Sequence, residues 1–290
     1  MTISSLARRL SHSTVAWSWG FNFLRLASGV LLLPLLLRLL PKPDLGMYYV
    51  FLSLAAMVIV LDLGFSPTIG RFINYAMGGA VKLAPQGLAG EQPAGPPNYP
   101  LLWELLFTAR IFYRFVVLAI CVLLGSFGTF TVWQKAAQTS SPGLTWLAWV
   151  VTLAAVAAET YFNVWNIFLR NVNQVLVATR INVSAYIIRL ALACVLLLCG
   201  MGLASLPLAS LASSFVIQFF SRSACLKALA ACPPPGRVDW RAHFRTLWPN
   251  SWRLGIYFAS GYLSTNANVL LCSALSVWRT MRSTAFPFRY

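Results

Sequence analysis

Five ionisable side chains stand inside stretches that are otherwise apolar: Arg25, Asp62, Arg114, Glu159 and Arg189. A charge in hydrocarbon is expensive, so each must meet a partner or a wet cavity. At about 1.5 Å of helix rise per residue, Arg25 lies about ten residues into its run and Asp62 about eleven from the same side of the next. Glu159 and Arg189 lie about nine and eight residues in by the same arithmetic, with Arg114 slightly shallower. All five therefore fall in one half of the bilayer. Two chemistries fit. Ion pairs could lock helices together, with Arg25–Asp62 the natural pair between adjacent antiparallel helices. Alternatively, three arginines against two carboxylates line a cationic cavity that attracts an anionic head group such as a pyrophosphate, whose geometry suits guanidinium. A boundary error would instead let a side chain snorkel to the interface. Amides add polar groups near the ends of runs: Asn163, Asn166, Asn171 and Asn173, then Asn266 and Asn268 beside Ser264 and Thr265. They can bond across helices or contact sugar hydroxyls.

The elements that must position these residues are apolar runs of about 20 residues. They extend from Val15 to Leu40, Met47 to Ile73, Leu105 to Phe130, Leu144 to Phe168, Ile181 to Gly200 and Leu203 to Phe220. Another opens near Leu254. Gly200-Met201-Gly202 is a tight turn, and "YAMGGAVKLAPQGLAGEQPAGPPNYP" is a loop by composition. Pro34 and Pro67 fall inside runs, where kinks can open a cavity. The first run is too long for a signal peptide, holds Arg25 and Arg38, and lacks a small-residue cleavage site. The expected fold is all-α, a polytopic membrane bundle of six spans over 1–220. A basic loop over 221–253, the start of a seventh span over 254–274 and a tail over 275–290 follow. Arg8, Arg9, Arg71, Lys82, Arg110, Arg170, Arg180 and the arginines between Arg222 and Arg253 crowd one side. Arg38, Lys42 and Lys135 lie on the other, so the N-terminus is expected to be cytoplasmic.

Composition agrees with a lipid solvent. Hydrophobic residues make up 59% of 290 and charged residues 10%, with mean hydropathy +0.71. A soluble domain carries about 25% charged residues. The net charge of +16 fits cationic loops at a membrane and does not call for nucleic acid. Six cysteines without CxxC spacing read as small buried hydrophobes. His12 and His243 stand far apart, so no zinc site is expected. There is no GxxxxGK[ST], GxSxG or HExxH. Asp44, Glu91, Glu104 and Asp239 read as ordinary loop or interface charges, so neither an enzyme nor a cofactor is expected.

The stretch "LLPLLLRLLPKPDLGMYYVFLSLAAMVIVLDLGFSPTIGRFINYAMGG" resembles the first two helices of polysaccharide-biosynthesis flippases of the O-antigen type. These belong to the multidrug/oligosaccharidyl-lipid/polysaccharide exporter superfamily. The likeness rests on Leu-Pro before a short turn closing on Gly46, an apolar helix, and then Leu61, Asp62, Leu63, Gly64, Phe65 and Arg71. "FLRNVNQVLVATR" and "LWPNSWRLGIYFASGYLSTNANVLL" add to it, and the whole likeness runs from Trp17 to about Ala274. It implies about twelve helices in two lobes around a central cavity. It further implies movement of a lipid-linked oligosaccharide across a bacterial cytoplasmic membrane by alternating access. The head group would meet Arg25, Asp62, Arg71, Arg189 and Arg253. Implied partners are the lipid-linked oligosaccharide, membrane lipids and polysaccharide polymerase machinery. A multidrug antiporter of the same superfamily would use Asp62 or Glu159 to couple to a proton or cation. A membrane-bound glycan-assembly enzyme would need a large outer loop, and those around Lys42, Lys135 and Gly202 are short.

Against that resemblance the chain has one lobe and the start of a seventh helix. Suitable codons for "SVWRTMRSTAFPFRY", read in a shifted frame, give "FGLADDAEYGLSVQ", whose "YGLS" resembles the family's eighth span. The expectation is a frameshift near Leu275, a non-native tail, and an inactive product. A natural seven-span chain would place Arg279, Arg282 and Arg289 outside, against the positive-inside rule.

Overall fold

The computed structural model describes residues 13–81, 83–84, 87–88, 95–230, 232–233 and 238–285; side chains from residue 265 onward fall outside that description. The expectations for Arg8, Arg9, Lys82, Glu91 and Arg237 lie outside the described residues. So do those for the side chains of Asn266, Asn268, Arg279, Arg282 and Arg289.

The chain is an all-α polytopic bundle. Its helices are α1 (Thr14–Leu39), α2 (Lys42–Ala56), α3 (Val58–Leu61), α4 (Phe65–Met77), α5 (Tyr99–Leu123) and α6 (Thr129–Ala136). Then come α7 (Pro142–Asn171), α8 (Val175–Leu198), α9 (Ser205–Ala228) and α10 (Trp240–Ala285). A two-residue antiparallel pair, Leu83–Ala84 with Gly87–Leu88, sits in the loop between α4 and α5. Six segments are long and apolar enough to cross a membrane: Thr14–Leu39, Lys42–Leu61, Tyr99–Ala136, Pro142–Asn171, Val175–Leu198 and Gly202–Ala228. Among the described residues α10 is not one of them. It runs unbroken through position 254, where the sequence suggested a loop giving way to a span.

Local chemistry sets the ends. Ser13 caps α1 by accepting from the Ala16 amide at 3.3 Å, which satisfies a donor that the first turn leaves free. Asn98 does the same for α5 through the Leu101 amide at 3.2 Å, and its own amide donates to the Ala80 carbonyl at 3.0 Å. Gly200 and Gly202 take φ of 80° and 53°, the left-handed turn that glycine adopts without strain.

The second apolar run departs most from its expected form. It starts at Lys42 rather than closing a turn on Gly46, and it breaks at Asp62–Gly64. Leu63 and Gly64 both take positive φ, 49° and 69°, and two successive left-handed residues cannot continue an α-helix. Pro67 therefore sits in the first turn of α4, where its missing N–H is not needed. The elbow presses on α10. A Cβ on Gly64 would stand 2.5 Å from the Leu254 Cβ and 2.8 Å from the Ser251 carbonyl oxygen. One on Gly255 would stand 3.0 Å from the Leu63 backbone. The third run contains a π-turn, Leu124–Gly128, before α6. Trp149 packs onto Gly128 there and donates from Nε1 to the Thr129 hydroxyl at 3.0 Å.

Helix α9 forms the spine, with α7 and α8 against it, α5 beyond α7, and α4 and α10 beyond α5. Of the most apolar window of α9, 44% is buried, against 11% for α1. Phe23, Leu26, Val30 and Leu31 on α1 are exposed, as a lipid-facing helix requires. Each end of the bundle is tied by side chains. At one end Asp44 accepts from the Ser140 amide at 3.0 Å and from the Ser140 hydroxyl. At the other, Glu104 meets His243 at 2.9 Å, and Trp103 donates to the Cys232 carbonyl at 3.0 Å. Asp239 accepts from the Arg241 and Ala242 amides at the start of α10. These three carboxylates hold structure, as ordinary interface charges do.

Candidate functional site

The first helix packs on α8 rather than on its sequence neighbour α2. Phe21 meets the Tyr186 ring edge-on at 5.7 Å, and the Ser28 hydroxyl lies 2.6 Å from the Tyr186 hydroxyl. The α1–α2 hairpin is thereby splayed. A cavity of about 760 Å³ opens between α1, α2, α7, α8 and α9. Three guanidinium groups line it, from Arg25, Arg170 and Arg189, against the single carboxylate of Glu159. Asn166 and Asn182 exchange amide hydrogen bonds across α7 and α8 at 3.2 and 3.3 Å, so these two amides satisfy each other in the cavity wall.

Helical spacing explains why these groups converge. Glu159, Asn163, Asn166 and Arg170 follow i, i+4, i+7, i+11 on α7. Asn182, Tyr186 and Arg189 follow i, i+4, i+7 on α8, and Phe21, Arg25 and Ser28 do so on α1. That spacing puts each set on one face of its helix.

A second cavity, about 420 Å³, lies beside the elbow and is lined by Asp62, Ser66, Tyr113, Glu159, Thr160 and Phe258, among others. Here Asp62 is fully engaged. It accepts from the Ser66 amide at 3.1 Å, the Ser66 hydroxyl at 2.9 Å and the Tyr113 hydroxyl at 2.7 Å. It thus anchors the first turn of α4 to α5. Glu159 and Asn163 line both cavities and form the wall between them.

The expected Arg25–Asp62 ion pair is not formed. Arg25 lines the larger cavity and Asp62 the smaller one; among the described residues the one ion pair is His243–Glu104. An Arg25–Asp62 pair needs α1 beside the second span, and α1 packs on α8 instead. The elbow also ends the second span at Leu61, so Asp62 sits at a helix break rather than in the middle of a span.

Of the remaining expected head-group residues, Arg189 lines the larger cavity, while Arg71 and Arg253 line neither. Arg71 is exposed on α4, and Arg253 is exposed on α10 with its guanidinium 6.0 Å from the Trp252 ring. Arg170, Asn182, Tyr186 and Tyr113 were not singled out as site residues from sequence. The polar stripes of α7 and α8 were a signal that could have found the first three. Tyr113 has no such signal, because its partner is set by the elbow.

No family model matches the chain, and neither a curated protein nor a solved structure matches it.

Proposed function

We propose that this protein is a carrier for a lipid-linked, phosphate-bearing saccharide, taken up by its head group in the larger cavity. The observation that carries this reading is the lining of that cavity: three guanidinium groups against one carboxylate, with amides interleaved. Guanidinium groups recognise pyrophosphate through charge-assisted, forked hydrogen bonds. Amide and tyrosyl groups such as Asn163, Asn166 and Tyr186 suit sugar hydroxyls. The splayed α1–α2 hairpin gives a lipid tail a lateral exit toward the bilayer. A broken helix beside a cavity is the form that irregular backbone takes in membrane carriers. In this reading the membrane is a bacterial cytoplasmic membrane and the N-terminus faces the cytoplasm, following the lysine and arginine distribution. The saccharide serves surface polysaccharide assembly, alongside a polymerase. The protein translocates its ligand by alternating access and is not an enzyme.

The test is a titration of the full chain, in lipid nanodiscs, with a prenyl pyrophosphate and with the matching prenyl alcohol. The pyrophosphate is expected to bind, with Arg25→Gln and Arg189→Gln each weakening it about tenfold, the loss of one hydrogen bond to a charged group. Equal affinity for the alcohol, or arginine variants that bind as well as the parent, would refute the reading.

One observation favours a second reading, a cation-coupled exporter. Among the described residues Glu159 makes no ion pair; it is exposed and borders both cavities. Such a carboxylate could take up a proton or cation; Asp62, already committed to Ser66 and Tyr113, is less suited. Transport that is insensitive to proton and sodium gradients would remove this alternative.

A further inference from the structure

Three more guanidinium groups gather outside both cavities. The guanidinium carbon of Arg110 on α5 lies 5.4 Å from the centre of the Trp165 ring, and that of Arg222 on α9 lies 5.9 Å from the same ring. Tyr161 stands one turn before Trp165 on α7, and Arg114 one turn after Arg110 on α5, so each continues the same face of its helix. Three helices thus contribute to one continuous array. Trp165 is buried, Arg110 is half-buried, and Arg114 and Arg222 are exposed.

Among the described residues this array has no ion-pair partner: no carboxylate pairs with Arg110, Arg114 or Arg222. On the helices that build the array, Glu104 of α5 is engaged by His243, and Glu159 of α7 borders the two cavities. The array also carries buried polar atoms without partners: Nε of Arg110, and Oε1 of Gln218 one turn before Arg222. Buried polar groups normally find a partner, and an amide can turn its NH₂ toward an anion.

Depth points to what would supply that partner. Trp165 and Arg222 each stand six residues, about 9 Å, from the ends of their helices at Asn171 and Ala228. A 30-residue α7 is about 45 Å long, close to the full bilayer with its head groups. Trp165 and Arg222 therefore lie at the inner edge of a head-group layer, with Tyr161 and Arg114 about one turn deeper.

The geometry points to a site for a phosphate-bearing anion at Arg110, Arg114 and Arg222, with the Trp165 and Tyr161 rings as its floor. Rings hold guanidinium planes in place by cation–π contact, which leaves the forked N–H groups free for phosphate oxygens. At this depth the source is the phosphodiester head group of an anionic phospholipid, and the same chemistry would take free phosphate. This site does not depend on the larger cavity.

The full chain would be placed in phosphatidylcholine nanodiscs, alone, with phosphatidylglycerol added, or with inorganic phosphate in the buffer. Thermal unfolding is then followed in each. Phosphatidylglycerol is expected to raise the Tm by about 5 °C, the size of shift that a near-saturated ligand gives. Arg114→Gln and Arg222→Gln should each remove most of the rise. Arg222→Lys, which keeps the charge and loses the fork, should retain part of it and guards against a variant that fails to fold. Arg25→Gln should keep it whole, which separates this site from the larger cavity. A matching rise with inorganic phosphate alone identifies the free anion as ligand. No rise with either anion, or an equal rise in the parent and both Gln variants, would overturn the proposal.

Discussion

Asp62 and Glu159 border the same small cavity, yet they stand in opposite situations. Asp62 accepts three hydrogen bonds, from one amide and two hydroxyls, and pins a strained elbow to the next helix. Glu159 stands on an unbroken helix, with no ion pair among the described residues, and faces open space on two sides. The difference teaches how a carboxylate within a membrane protein divides between structure and chemistry. One that is saturated by neutral donors is held in place and has little left to offer a ligand. One that is unsaturated costs free energy in the resting protein and is available to a proton, a cation or a substrate.

The comparison can be pressed hardest at the elbow that presents Asp62. Gly64→Ala puts a methyl group into the backbone of α10 and forces a left-handed alanine. It should cost about 3 kcal/mol or more, read as a collapse in Tm or in monodisperse yield. Gly46→Ala, with open space at its Cβ, should leave both unchanged. Next comes Asp62→Ala, which strips the acceptor from the Ser66 and Tyr113 hydroxyls. A loss of about 2–3 kcal/mol is expected, seen as a lower Tm in one fixed detergent. A wild-type Tm would mean that Asp62 is not structural. Tyr113→Phe removes a single donor and should cost about 1 kcal/mol. In a double-mutant cycle with Asp62→Ala, the two losses should fail to add. The smallest stability effect is expected for Glu159→Gln, within about 0.5 kcal/mol, together with loss of any gradient-dependent transport. A large fall in Tm for Glu159→Gln would erase the contrast between the two residues.

Much of this was legible in the residues themselves. Apolar run length identified the six crossing helices, to within three residues at half of their ends, because a bilayer requires that length whatever the packing. Arg25, Glu159 and Arg189 were marked by the cost of charge in hydrocarbon, and they do converge on one cavity. Partners were not legible. Which helix α1 leans on is decided by Ser28 and Tyr186, residues 158 apart in sequence, and no local pattern encodes that meeting. The elbow was hidden for a related reason. "DLG" within an apolar run reads as a continuing helix, and only the close approach of Gly255 explains why the chain turns left-handed there. The cationic array around Trp165 was obscured because Arg110, Arg114 and Arg222 come from separate runs, and each alone reads as an interfacial charge.

The contact between the elbow and α10 has a consequence for biogenesis. A ribosome delivers Leu63 and Gly64 long before Ser251 to Gly255, with four further crossing segments made in between. During that interval the bend lacks the groove that braces it, and Leu63 holds a left-handed conformation worth about 1–2 kcal/mol of strain. The second span must therefore enter the lipid as a provisional helix and take its final shape only when α10 arrives. The elbow is closed only by a helix made four crossing segments later, so synthesis interrupted before α10 would leave the second span unfinished.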